Sequence, residues 1–223
     1  VSTWRDRATN HMVGEGRNQP DWAFGIESSP PQTKTRNLLI VSTRGDRLQP
    51  DHSMVNQLRM AAERNDLTIV VPVQVRRDAD AARALAERLG GEVLEWPHDR
   101  THREQEIQLR DLYRRAAIAV SDRIHVLSLA MTEGAVPIGM TLTSPEKLTR
   151  TFDEVFPLKI IEAATDVGPA IENAMLKSDQ VNRSLRTARA RLAGFRTEFQ
   201  NAFATPDPKT PAQHYATGGG TNA

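Results

Sequence analysis

Residues 121–125, Ser-Asp-Arg-Ile-His, place a hydroxyl, a carboxylate, a guanidinium and an imidazole within five positions. They follow the small apolar run "AIAV" (117–120) and precede a helix that is apolar on nearly every side. A second stretch, "STRGDR" (42–47), sets Arg44 in the same position relative to the apolar run "NLLIV" (37–41). An arginine just past a buried strand, beside a helix N-terminus, makes an anion site. The helix start offers free N–H groups and partial positive charge. The planar guanidinium binds carboxylate or phosphate through two parallel hydrogen bonds. His125 adds a group whose ordinary titration lies near neutral pH, suited to moving a proton. Each residue also has a plainer role: Asp122 caps the helix, His125 is structural, and the arginines are solvated or ion-paired.

Other chemistry is thinner. His98 and His102 have the i, i+4 spacing of a helical metal pair, but Pro97 and Asp99 argue for a loop and no third ligand is evident, so no metal is expected. Lys147, in the first turn of a helix opened by Ser144-Pro145, is placed to reach a phosphate or to stand in solvent. Asp78 follows a strand, where capping a helix is its default role. A GxGxxG after the first strand, a GxxxxGK[ST] loop and a GxSxG elbow are all missing, which argues against dinucleotide enzymes, P-loop NTPases and α/β-hydrolases. There is no cysteine, so thiol catalysis, disulfides and thiolate metal sites are excluded.

The elements that would hold these residues alternate. Strands are expected over 37–43, 67–75, 92–96, 117–121, 136–140 and 159–163, with Pro72 marking a bulge or an edge. Helices are expected over 51–65, 78–89, 103–115, 125–134 and 146–155, followed by one long helix over 168–203. Strands alternating with helices of this length mean βαβ units and a parallel sheet, a Rossmann-like α/β domain over 37–167. Residues 1–36 fall outside the scheme, with a linker at 28–35, and the tail 204–223, rich in Gly, Pro, Thr and Asn, is expected to be disordered. A net charge of +1 over 223 residues gives no reason to expect nucleic acid. No signal peptide or 18-residue apolar run is present in this sequence, which fits a cytoplasmic protein.

Several blocks resemble the polysaccharide pyruvyl transferase family. "VSDRIHVLSLAMTEGAVPIG" (120–139) is similar to that family's Ser-Asp-Arg-Leu-His signature, with Ile124 for the more usual leucine. "LLIVSTRGD" (38–46), "VVPVQVRRDADAARALAERLG" (70–90) and "SPEKLTRTF" (144–152) agree in order and spacing. "WRDRATNHMVGEGRNQPDWAF" (4–24) resembles the segment that closes the family's N-terminal half. The resemblance implies the C-terminal lobe of a B-type glycosyltransferase architecture, with most of an N-terminal lobe outside the sequence. It implies transfer of the pyruvyl unit of phosphoenolpyruvate to a sugar of a polysaccharide or glycolipid, forming a ketal and releasing phosphate, with no cofactor. On that basis Arg44 and Arg123 meet the donor's carboxylate and phosphate, and His125 is the general acid or base. Asp122, Ser121, Lys147 and Asp78 bind or orient. The location implied is cytoplasmic, at or near the inner face of the membrane. Two other readings stay open: a nucleotide-sugar glycosyltransferase lobe, and a fragment that works with a separate N-terminal partner or self-associates through Trp4, Trp22 and Phe24.

Overall fold

The computed structural model describes residues 3–28, 35–141 and 144–203. The expected linker at 28–35 and tail at 204–223 lie almost wholly outside the described residues.

The chain opens with a two-residue strand β1 (Thr3–Trp4), helix α1 (Arg7–Val13) and β2 (Arg17–Asn18), which pairs with β1 in parallel. Then follow β3 (Leu38–Ser42), α2 (His52–Arg64), β4 (Thr68–Pro72), α3 (Ala79–Leu89), β5 (Glu92–Leu94) and α4 (His102–Arg115). After these come β6 (Ala116–Ser121), α5 (Ile124–Thr132), β7 (Val136–Met140), α6 (Glu146–Phe152), β8 (Lys159–Ile161), α7 (Val167–Met175) and α8 (Ser178–Phe203). The local chemistry is legible: Asp51 caps α2 on the Met54 N–H at 2.7 Å, and Thr101 and Glu104 form a reciprocal capping box on α4. Gly90, at φ 63°, closes α3 in the left-handed region.

The six main strands are all parallel, in the order β5-β4-β3-β6-β7-β8. β3 and β7 are buried at every residue, and Ile118, Ala119 and Val120 of β6 are fully buried, as a sheet covered on both faces requires. The fold class read from the sequence is the fold observed. From β3 the chain winds outward through β4 and β5, then returns to β6 and winds the other way. The reversal leaves a crevice at the carboxyl ends of β3 and β6, where Ser42 and Ser121 are register partners. In sheets of this type ligands sit at that point.

Two expectations need correction. Pro72 marks neither an edge nor a bulge: β4 is an interior strand, and Pro72 is its last residue, opposite Leu94. The long helix expected over 168–203 is two helices, broken at Leu176–Lys177. A straight rod cannot serve both contacts: α7 lies against α2 and the sheet, while α8 must turn to reach Phe24 and the N-terminal segment. Phe24 is fully buried in the core, edge-on to Phe152 at 5.3 Å between centroids, so residues 3–27 pack onto the domain.

Glu133, just past α5, is the buried hub of the opposite side. Its carboxylate has no exposed surface and accepts from Arg110 Nε at 2.5 Å, Arg114 Nε at 3.0 Å and Ser28 Oγ at 2.5 Å. Its carbonyl accepts from Arg36 Nη2 at 2.6 Å. Among the described residues no helix is long and apolar enough to cross a membrane. Replacing Glu133 with alanine strands two guanidinium groups against the core, and such a loss costs about 3–5 kcal/mol. Urea unfolding of Glu133→Ala is expected to show it; a change below about 1 kcal/mol would mean that the cluster is solvated in practice.

Candidate functional site

The loops after β3 and β6 are tied to each other before any ligand is considered. Asp122 Oδ1 accepts the backbone N–H of Arg44 at 3.0 Å, so the residue after β6 anchors the loop after β3. Asp78 Oδ1 accepts the N–H of Gly45 at 3.2 Å, and its other oxygen takes the guanidinium of Arg123. The approach leaves little room for a side chain at residue 45: a Cβ there would meet Asp78 Oδ1 at 3.0 Å and the Ala81 methyl at 3.2 Å, so the neighbours would have to give by a few tenths of an ångström. Ser121 Oγ accepts the N–H of Arg123 at 3.0 Å and fixes the turn into α5. Gln49 stitches the first loop by donating to the carbonyls of Arg44 and Arg47 at 2.7 and 2.9 Å, while accepting from Thr43 Oγ1 at 2.8 Å.

Above this frame lies a cavity of about 260 Å³, lined by Arg44, Arg47, Asp122, Arg123, His125 and Lys147, with Arg5 and Gln74 at its margin. It opens into a second hollow of about 400 Å³ that shares Arg5, Arg47, Ser144 and Lys147 and adds Asp6, Glu146 and Arg150. The sequence-predicted residues therefore converge, but not in equal roles. Arg123, His125, Arg44, Asp122 and Lys147 face the cavity. Ser121, fully buried, and Asp78, 6% exposed, do not line it and stand behind it in the frame. A small hydroxyl at a strand end and a carboxylate before a helix are drawn to backbone N–H groups and to the nearest guanidinium, and that is where both are spent. His98 and His102 gather no third ligating side chain: among the described residues no cluster of three or more occurs, and His102 sits edge-on to Trp96 at 4.8 Å.

The cations are also unequal. Arg44 is forked onto Asp46 at 2.8 and 2.6 Å, which holds the Asp46 carboxyl well below the usual range. Arg123 is held by Asp78. Arg47 and Lys147 make no salt bridge among the described residues, although the Arg47 charge acts on Asp122, and both are exposed at the cavity. Sequence reading passed over Arg47, although the loop that carries it was singled out; the useful signal was the second arginine of "STRGDR", three residues after the first. His125, the second residue of α5, is exposed at the mouth. α5 has no side-chain cap, which leaves its first N–H groups for a ligand.

Asp122 is held above the ordinary carboxylate value, chiefly by burial, against the lowering effect of the Arg44 N–H and of the Arg123, Arg47 and Arg44 charges. A carboxyl raised in this way favours the folded state while it is neutral. That contribution is complete below the unfolded aspartate value and is lost as pH rises through the folded one.

No protein-family model and no curated protein sequence matches the chain. Solved structures do resemble it. AviGT4, a glycosyltransferase involved in avilamycin A biosynthesis, superposes with a TM-score of 0.51 at 14% identity, over 92% of this chain and 64% of that one. The C-terminal CMP-Kdo binding domain of WaaA from Acinetobacter baumannii gives 0.47 at 9% identity, over 70% and 90%. WaaG, a glycosyltransferase involved in lipopolysaccharide biosynthesis, gives 0.41 at 14% identity, over 70% and 43%. The chain thus spans less than two thirds of AviGT4. At these identities the likeness concerns fold: a Rossmann-like parallel sheet of the kind that forms the C-terminal lobe of B-type glycosyltransferases.

Two outcomes follow for the frame. Asp78→Asn keeps the acceptor for Gly45 but frees Arg123, and the unpaired buried charge is expected to lower unfolding free energy by about 3 kcal/mol. Asp122→Asn is expected to gain stability relative to the parent as pH rises across the acid range. Urea unfolding at a series of pH values reads it, and a difference that stays constant with pH contradicts the assignment.

Proposed function

We propose that this chain is the donor-binding lobe of a two-lobed transferase and that its crevice holds the phosphate of the donor. One observation carries the reading: Arg47 and Lys147, held in no salt bridge among the described residues, converge with Arg44 and Arg123 on an uncapped helix start at the chain-reversal point of the sheet. A cation outside any salt bridge in a half-sheltered hollow gains most from a dianion or trianion, which replaces water with charge-assisted hydrogen bonds. AviGT4, which shares the fold, is described as a glycosyltransferase, and that likeness supports glycosyl transfer. In that case a nucleotide sugar lays its diphosphate against the α5 N-terminus and Lys147, and the adjoining hollow takes the acceptor.

Pyruvyl transfer from phosphoenolpyruvate is the second reading, and the cavity itself favours it. About 260 Å³ suits a compact donor, and the lining contains no aromatic ring other than His125 on which a base would stack. The Ser-Asp-Arg-Ile-His block points the same way. Arg123, pinned by Asp78, then presents its remaining N–H groups to the donor. His125 delivers a proton to the enol carbon or takes one from the sugar hydroxyl, a role that contributes about 10²–10⁴-fold.

Calorimetric titration of the chain with phosphoenolpyruvate and with uridine diphosphate separates the two. Both readings expect Arg47→Ala/Lys147→Ala to weaken binding by about tenfold or more, since each lost charge-assisted hydrogen bond contributes about 1.5–3 kcal/mol. Preference for the nucleotide selects glycosyl transfer, and preference for phosphoenolpyruvate selects pyruvyl transfer. Binding of neither, or binding indifferent to the double variant, overturns the donor site.

A further inference from the structure

At the other end of the sheet, a cavity of about 250 Å³ opens between β7, β8 and α7. It lies at the amino ends of the strands, away from the crevice. Val136, Ile138, Phe156, Pro169 and Ala174 make its walls apolar, and no carboxylate lines it. Two ammonium groups, Lys159 and Lys177, stand on its rim with no ion-pair partner among the described residues. Glu172, the acid on α7, faces Arg64 at 3.7 Å instead. A second feature meets the first at the α7–α8 break. Leu176 is 86% exposed, the largest exposure among the large apolar side chains described, and Met175 beside it is exposed as well. The break therefore turns two apolar side chains outward within three residues of a rim lysine.

An apolar hollow, cations at its lip and apolar side chains projecting beside them match the cross-section of an anionic membrane surface. We propose that this corner docks on an anionic bilayer. Lys159 and Lys177 meet headgroup phosphates, Leu176 and Met175 enter the interface, and an acyl chain lies in the cavity. The charge complementarity selects anionic lipid over neutral lipid, and the projecting Leu176 selects a bilayer over a single soluble amphipath, which would need only the hollow. Because the corner and the crevice lie at opposite ends of the strands, docking leaves the crevice open. The inference does not depend on the donor reading.

Sedimentation with phosphatidylcholine vesicles, with and without phosphatidylglycerol, tests it. Binding is expected only with the anionic lipid. It should fall about thirtyfold in Lys159→Gln/Lys177→Gln, given about fivefold per cation near such a surface, and about tenfold in Leu176→Asp. Unchanged melting of both variants shows that the fold survives; if either is unfolded, Lys159→Gln alone with Leu176→Ser gives the same reading at lower amplitude. No binding to anionic vesicles, equal binding to neutral ones, or binding indifferent to these changes overturns the proposal. Monomeric dodecyl phosphate bound in the absence of vesicle binding also overturns it and makes the cavity a site for a soluble ligand.

Discussion

A crevice that gathers guanidinium groups must be held together against their mutual repulsion, and here two aspartates do it. Asp78 joins the loop after β3 to Arg123, and Asp122 joins the residue after β6 to that same loop. Both loops carry the charges that would drive them apart, and each is fixed through backbone N–H groups, which have no rotamer freedom to lose. The pairing divides the cations into two classes. Arg44 and Arg123 are oriented by carboxylates and present a fixed geometry, whereas Arg47 and Lys147 are held in no salt bridge among the described residues. A polyanion gains orientation from the first pair and net charge from the second. The positive field survives because the aspartates are spent on the frame.

The same division explains how far sequence reasoning reached. The strands were legible because a two-faced buried sheet demands continuous runs such as Leu38–Val41 and Ile118–Val120, bounded by polar loops. The two arginine-bearing loops were legible because they follow those runs, and parallel topology then places them side by side. What composition concealed was tertiary partnership. Asp78 and Ser121 are the residue types a ligand would use, and nothing local reveals that the N–H groups of Gly45 and Arg123 reach them first. The break between α7 and α8 escaped for a similar reason: apolar spacing continues through Ala174, Val181 and Leu185, and only the packing of α7 on α2 and of α8 on Phe24 forces the chain to turn.

The Glu133 cluster is the counterpart of the crevice frame on the opposite side of α5. It gathers Arg110 and Arg114 from α4 and Ser28 from the N-terminal segment, while Arg36 caps the carbonyl. α5 is thereby held at both ends by ionic contacts, at its start through the tethered Arg123 and at its end through Glu133. In its middle Val126, Leu127, Ala130 and Met131 are fully buried. A helix so constrained cannot rotate, which keeps its uncapped amides aimed into the crevice.

The central position of β3 has a consequence for how the chain comes into being. Its two neighbours are β4, which pairs Leu38 with Thr68, and β6, which pairs Leu38 with Ala116. During synthesis at about 5–20 residues per second, one edge of this buried, largely apolar strand waits several seconds longer than the other for its partner to emerge from the ribosome. For that interval the nascent chain carries an open, hydrophobic, hydrogen-bond-hungry edge at what will become its core. The feature that later makes the crevice, a sheet wound outward in both directions from its middle, is also what leaves the middle strand waiting.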